Sequence, residues 1–369
     1  MIPVATRMLL RNRASSLVTV AAVAATVALQ LFLFAVHEGV REGATAYVRG
    51  TPVDIWIAQK NSDNILKSSS FLPSSVAEEL AAIPGVKAAS PLIRVITKAQ
   101  IGGRRSSTLF LLAFDPATRL GAPPTIVAGS SDLKPGELVL DRSFARKYVL
   151  PVGSSVMIQD RRFRVAGWSD GTNALVSQFA FARLDDGEAL LGLGGIASFI
   201  LVRLDDVRER ALVAQRIRAA RPDLAVYEAD AFIRAHEEEM NSGVLPVFAA
   251  AAAFGAVVCI LLVALTLYNA VLAHREEYAT LKAIGASPAF LLRVVLGQAL
   301  LATAVGALAG GAVALGIAPL LLKLVPALAL RFSPRLLFVL PACLVIGAFA
   351  AALPIVLLRR IDPEEVFRA

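Results

Sequence analysis

Residues 273–288 read AHREEYATLKAIGASP. This short charged stretch, with Gly285 near its end, separates two uncharged apolar runs, residues 244–273 and 294–322. An apolar helix of about 20 residues crosses about 30 Å of hydrocarbon, so the stretch reads as a turn between two membrane spans. Two more uncharged runs, residues 17–36 and 336–358, are long enough to cross as well. The expectation is an integral membrane α-helical protein with four transmembrane helices, one before and three after a large extracytoplasmic α/β domain. Residues 189–202 form a further apolar run, but it is short and carries Gly192, Gly194 and Gly195, so it reads as a buried strand and a glycine loop.

Composition points the same way: 56% of the residues are hydrophobic and 18% charged, too apolar for an ordinary soluble domain. The net charge of +8 could suggest nucleic acid, but residues 38–243 hold 25 Lys/Arg against 24 Asp/Glu. The excess therefore flanks the spans, and no nucleic-acid partner is expected. Arg7, Arg11 and Arg13 precede the first span and Arg359, Arg360 and Arg368 follow the last, which by the positive-inside rule places both termini in the cytoplasm. Lys323, Arg331 and Arg335 in the loop at 323–335 pull the other way, and the basic segment next to the first span decides. The apolar run after RNRASS lacks a convincing cleavage site and reads as an anchor. Cys259 and Cys343 both lie inside expected spans, so the external domain has no disulfide framework.

The expected order is a cytoplasmic amphipathic helix at 1–16, spans at 17–36, 244–273, 289–322 and 336–358, a cytoplasmic segment at 274–288, an external loop at 323–335 and a cytoplasmic tail at 359–369. The external domain occupies 37–243, with helical stalk segments at 37–49 and 229–243. Within it, VDIWIAQ alternates as a strand, a serine-capped helix follows in LPSSVAEELAAIPGV, and VKAASPLIRVITKAQI returns as a strand. SFILVRL, a helix over 205–220 and DLAVYEA repeat the pattern, so 52–115 and 198–230 form one α/β subdomain from two half-repeats. Residues 116–197 form a β-rich inserted subdomain containing a hairpin of 155–159 against 162–168, with DRR as its turn. Arg161, Arg162 and Arg164 read as a solvated hairpin face.

Catalytic chemistry is missing from the pattern. There is no GxxxxGK[ST] loop, no GxSxG elbow, and His236 in HEEEM lacks the second histidine of a zinc-binding helix. No catalytic residue and no metal ligand is expected, and the paired acids Asp185/Asp186 and Asp205/Asp206 read as helix caps. The uncharged runs 17–36, 244–273, 294–322 and 336–358 carry no Lys, Arg, Asp or Glu, which argues against proton relays. Their polar residues, Gln30, Thr266, Asn269, Gln298 and Thr303, read as interhelical hydrogen-bonding groups, and Gly306 with Gly310 as a small-residue contact within or between protomers.

The stretch HREEYATLKAIGAS resembles the cytoplasmic loop of permeases of the MacB/LolC/FtsX type, whose form is ER-x-E-x-(A/G)-x-L-(R/K)-A-(I/L)-G-A. Arg275, Glu277, Ala279, Leu281, Lys282, Ala283, Ile284, Gly285 and Ala286 match, while His274 replaces an acidic residue. VGSSVMIQDRRFRVAGW is similar to the family's VGDTVTLGGRRFTVVGI, and RRIDPEEVFR to its C-terminal ending. The resemblance implies an inner-membrane permease subunit of a mechanotransmission ATP-binding-cassette exporter, not itself an enzyme. It implies as partners a cytoplasmic ATPase that binds ATP and magnesium, a second copy or paralogue of the permease, a periplasmic membrane-fusion adaptor, and membrane lipid. Arg275, Glu277, Tyr278, Leu281, Lys282, Ala283, Ile284 and Gly285 would form the coupling helix docked on that ATPase, with Tyr278, Leu281 and Ile284 as an apolar ridge. Cargo would be hydrophobic or lipid-like. The rival reading is an FtsX-like regulator of a cell-wall hydrolase.

Overall fold

A computed structural model describes residues 13–66, 70–102, 105–172, 178–243, 245–273, 275–325, 328, 330–334 and 338–350. The chain divides into two compact units, one of residues 1–38, 247–321 and 330–369, the other of residues 39–246 and 322–329. Each is described on its own.

The first unit is helical. Helix α1 (Arg13–Gly50) begins in it and runs on into the second unit. Among the described residues, three helical stretches are long and apolar enough to cross a membrane: Leu17–Gly50, Leu245–Leu262 and Ala289–Leu324. Of the expected last span, residues 336–358, the described helix covers Val339–Ala350, and 351–358 lie outside the described residues. The N-terminal amphipathic segment 1–12 and the tail 359–369 lie outside them too.

The second unit is built on one sheet. Its strands are β1 (Ile55–Gln59), β3 (Val86–Ile101), β4 (Arg105–Phe114), β5 (Ile126–Gly129), β6 (Glu137–Asp141), β7 (Ser155–Ile158), β8 (Arg161–Ser169), β9 (Phe179–Arg183), β11 (Phe199–Leu204) and β12 (Leu224–Glu228). They follow the order β12-β1-β11-β3-β4-β9-β6-β8-β5, with β7 paired to β3 and β8. A short pair, β2 (Leu72–Pro73) with β10 (Ile196–Ala197), stands apart. The helices are α2 (Val76–Ala81), α3 (Arg142–Lys147), α4 (Leu184–Leu191), α5 (Arg210–Ala220) and α6 (Ala229–Ser242).

The two half-repeats interlock. β1 lies between β11 and β12, antiparallel to both, and β11 lies between β1 and β3, antiparallel to both. Numbering β1, β3, β11 and β12 as first to fourth, their spatial order β12-β1-β11-β3 is the fourth-first-third-second order of a split βαβ, ferredoxin-like arrangement. Alternation sorts the side chains: Ile55, Ile57, Ile200 and Val202 face α2 and α5 through Val76, Leu80, Val213 and Ile217. Trp56, Leu92, Phe199 and Leu201 point to the opposite face, where Tyr47 and Val48 of α1 and Phe232 of α6 cover them. A separate core of Val95, Leu109, Leu140, Phe144, Phe163 and Val165 fills the β6–β9 end.

Three local expectations are corrected. Ser75 stands at the start of α2 without a side-chain cap, because its φ and ψ of −59° and −22° are already helical and capping needs an extended residue. The hairpin turn is Gln159–Asp160 and not DRR, since Arg161 and Arg162 pair with Ile158 and Met157. Asp206 does cap the short 3₁₀ turn Val207–Glu209 through Arg208 N at 2.9 Å, but Asp185 and Asp186 do not cap α4. Asp185 pairs with Arg183 at 2.9 Å, and Asp186 accepts from Gly136 N at 3.0 Å.

Candidate functional site

The charged stretch between the second and third expected spans folds into two helices meeting at a tight corner. α7 (Leu245–Ala273) precedes it, α8 (Arg275–Ala283) forms it, and α9 (Pro288–Leu324) leaves it. His274 lies outside the described residues. α8 stops at Gly285, whose φ of 95° is left-handed. Ala286 N donates to Leu281 O at 2.9 Å and Gly285 N to Lys282 O at 3.1 Å, the paired bonds of a Schellman stop. Two residues later the chain restarts: Ser287 Oγ accepts from Phe290 N at 3.2 Å, and Pro288 takes the first helical position, where its missing N–H costs nothing. Gly, Ser and Pro thus each occupy the position their chemistry suits.

Of the expected ridge, the structure separates two members. Leu281 is half-buried against Leu291, Val294 and Val295 of α9, together with Ala286 and Phe290. Ile284 is 77% exposed. Ala279 is buried, Ala283 exposed and Lys282 half-buried. For Arg275, Glu277 and Tyr278 only the helical backbone is described. The corner therefore offers Ile284 as its apolar contact and uses Leu281 to brace itself.

Within the helical unit the small-residue contact lies inside the protomer. A Cβ on Gly306 would stand 2.6 Å from Val23 Cβ, and one on Gly310 2.5 Å from Ala24 O, so α9 touches α1 backbone to backbone. Gln30 Nε2 donates to Ala252 O at 3.0 Å, tying α1 to α7. These contacts make α1 the element on which both α7 and α9 rest.

Sequence reading missed how the stalk helices are fixed to the sheet. Tyr47 of α1 donates its hydroxyl to Gly121 O at 2.9 Å and packs on Phe179 and Phe181 at 5.5 and 5.6 Å. Trp56 of β1 stacks on Phe232 of α6 at 4.6 Å, and Arg49 meets Glu237 at 2.8 Å. His236 is fully buried beneath them: Ile65 N donates to its Nε2 at 3.1 Å, which leaves Nδ1 to donate to Phe232 O at 2.8 Å. Burial pushes its pKa down to about 4, against the opposing pull of the Phe232 carbonyl and of Asp63. It is a neutral structural histidine. The spread of aromatic residues through residues 47, 56, 179, 181, 199 and 232 was the available signal, but alternation alone does not say which strand face a distant helix covers.

The chain is similar to known proteins along most of its length. The FtsX-like permease C-terminal family matches residues 249–363, and the MacB-like periplasmic core domain family matches residues 16–220. An uncharacterized ABC transporter permease of Mycobacterium tuberculosis, found in two strains, is 25% identical over 345 residues, covering 92% of this chain and 91% of the relative. Among solved structures, the periplasmic region of MacB from Actinobacillus actinomycetemcomitans aligns with TM-score 0.40 and 17% identity, over 52% of this chain and 95% of that one. The extracellular domain of the noncanonic ABC-type transporter YknZ from Gram-positive bacteria aligns with TM-score 0.37 and 11% identity, over 48% and 99%. With a periplasmic core domain over more than half its length and a permease C-terminal domain after it, the chain belongs to the MacB/FtsX family of ABC transporter permeases.

Proposed function

We propose that this permease works by mechanical transmission: α8 receives the motion of a cytoplasmic ATPase, and α1 and α6 carry it to the sheet of the periplasmic domain, which moves a hydrophobic or lipid-like cargo. The single observation that carries this is the corner at 281–288, rigid by its Schellman stop and its Ser–Pro restart, with Ile284 left 77% exposed at its apex. A solvated turn needs neither a braced geometry nor an exposed isoleucine.

The wider reading has four spans, 17–36, 244–273, 289–322 and 336–358, in an inner membrane, with both termini in the cytoplasm. In this reading the loop at 323–335 is external despite Lys323, Arg331 and Arg335. The permease pairs with a second copy or a paralogue, two ATPases that bring ATP and magnesium, and a membrane-fusion adaptor on the outer side. In this reading the external domain has an α/β part, 52–115 and 198–230, and an inserted part, 116–197, which the cores around Ile55 and Ile200 and around Phe144 and Phe163 support.

The test is Ile284→Asp in the complete chain. It removes the exposed contact while Leu281 keeps the corner packed. Loss of ATPase co-purification and of ATPase stimulation is expected; an ATPase that still binds and is still stimulated refutes the docking assignment. Crosslinking from the external domain to a cell-wall hydrolase in place of an adaptor would favour the regulator reading.

A further inference from the structure

The sheet face that Tyr47 and Phe232 cover does not end where their cover ends. On β3 the same face continues from Leu92 through Ile96, Lys98 and Gln100, while Val95 and Ala99 turn into the core on the other side. The register carries this face outward across four strands: Ser106 of β4 lies beside Gln100, Gln100 beside Met157 of β7, and Met157 beside Arg162 of β8. Arg164 is the next outward residue on β8. Lys98, Arg162 and Arg164 are exposed, Ile96 is 54% exposed, and Met157 is half-buried.

A basic hairpin by itself is an ordinary solvated feature. Here the fold adds Lys98, an exposed β-branched residue and a methionine from strands distant in sequence, all on the outer face of the sheet. Glu137 approaches Arg164 at 3.9 Å, and Asp160 lies in the turn beside Arg161, so the cations outnumber the acids. Met and Arg around an exposed apolar residue are the composition of an interface, and unbalanced charge sets the sign of its partner.

We propose that this face, Ile96, Lys98, Gln100, Met157, Arg162 and Arg164, docks a protein surface rich in acidic side chains. Its spacing selects that occupant over a single phosphate group. β3 and β8 are separated by β7, so Lys98 and Arg162 stand on strands about 10 Å apart, and Arg162 and Arg164 about 7 Å apart along one strand. Strands β3-β4-β9-β6-β8 are closed into a ring by β7, so these cations stand apart on its outer wall, match distributed carboxylates and do not converge on one anion.

The test uses the full-length permease with Cys259 and Cys343 changed to alanine and Ser106→Cys introduced on the face. Labelling by a membrane-impermeant maleimide is compared between intact cells and purified protein in nanodiscs, with Val207→Cys as a control that reports the orientation of the domain separately. Nine-tenths occupancy by a partner makes labelling at position 106 about tenfold slower in cells. The protection should vanish in K98E/R162E/R164E, and in the milder K98Q/R162Q/R164Q, while Val207→Cys labels as before. It should also weaken toward 1 M salt, where the Debye length falls to about 3 Å. Photocrosslinks from position 106 should map to an acidic stretch of the partner. Equal labelling in cells and nanodiscs overturns the proposal, as does protection that survives both triple variants. So does protection reproduced by phosphatidylglycerol vesicles alone, which would assign the face to lipid headgroups.

Discussion

His236 shows how one side chain can fix a joint. It bridges α6 to the loop at Ile65 as a neutral ring, with its pKa depressed to about 4 from an ordinary value near 6.5. The unfolded chain therefore takes up a proton on this ring before the folded one does, so the ring's contribution is full above about pH 6.5 and is lost as pH falls toward 4, at most about 3 kcal/mol. Melting followed by the fluorescence of the tryptophans should show a fall in stability over that window. His236→Gln, whose side-chain oxygen can still accept from Ile65 N, should flatten it. Phe232→Ala removes the ring stacked on Trp56 and should cost about 3–5 kcal/mol, read in the same melts. At Gly285 a β-branched residue would have to hold a φ of 95°, so Gly285→Val should cost about 1–2 kcal/mol and loosen the corner that presents Ile284.

At the scale of elements, α1 joins several others. Gly306 and Gly310 let α9 approach its backbone, and Gln30 ties it to α7. Gly310→Leu would drive a side chain into Ala24 O and Val27, so the variant should lose α1–α9 contact and insert as a less stable protein, measured by unfolding in detergent. The elements were largely readable from their patterns: β3 matches VKAASPLIRVITKAQI residue for residue, because alternation from Ile93 to Gln100 on a half-covered strand leaves little freedom. At the corner Gly285 was readable from the sequence, and the Ser287–Pro288 restart, an equally local signal, went unread. What stayed hidden depends on contacts far apart in the chain. Leu281 and Ile284 look equivalent in sequence, and only the packing of α9 makes one a brace and the other exposed. Ser75 failed as a cap for the same reason in miniature, since the path of the backbone and not the residue type set its conformation.

At the scale of the whole molecule, Tyr47 near the end of α1 and Phe232 near the start of α6 belong to one core on one sheet face. The two helices should therefore act on the sheet as a single lever. A long bifunctional maleimide joining Arg49→Cys to Glu237→Cys should leave ATPase stimulation unchanged, whereas independent motion of the two helices would make the crosslinked protein inactive.

The interlocked strand order also has a consequence for biogenesis. β1 finds its two neighbours only in residues 200–202 and 224–228, so as the chain emerges the first strand after the N-terminal anchor waits for nearly the whole external segment. Pairings so distant in sequence form slowly, and an exposed strand of apolar residues is an aggregation hazard in the meantime. A nascent chain arrested at residue 197 should leave β1 open to protease, and one arrested beyond α6 should protect it. Until then the protein is tethered to its membrane but unfinished, and dependent on whatever chaperones guard that surface.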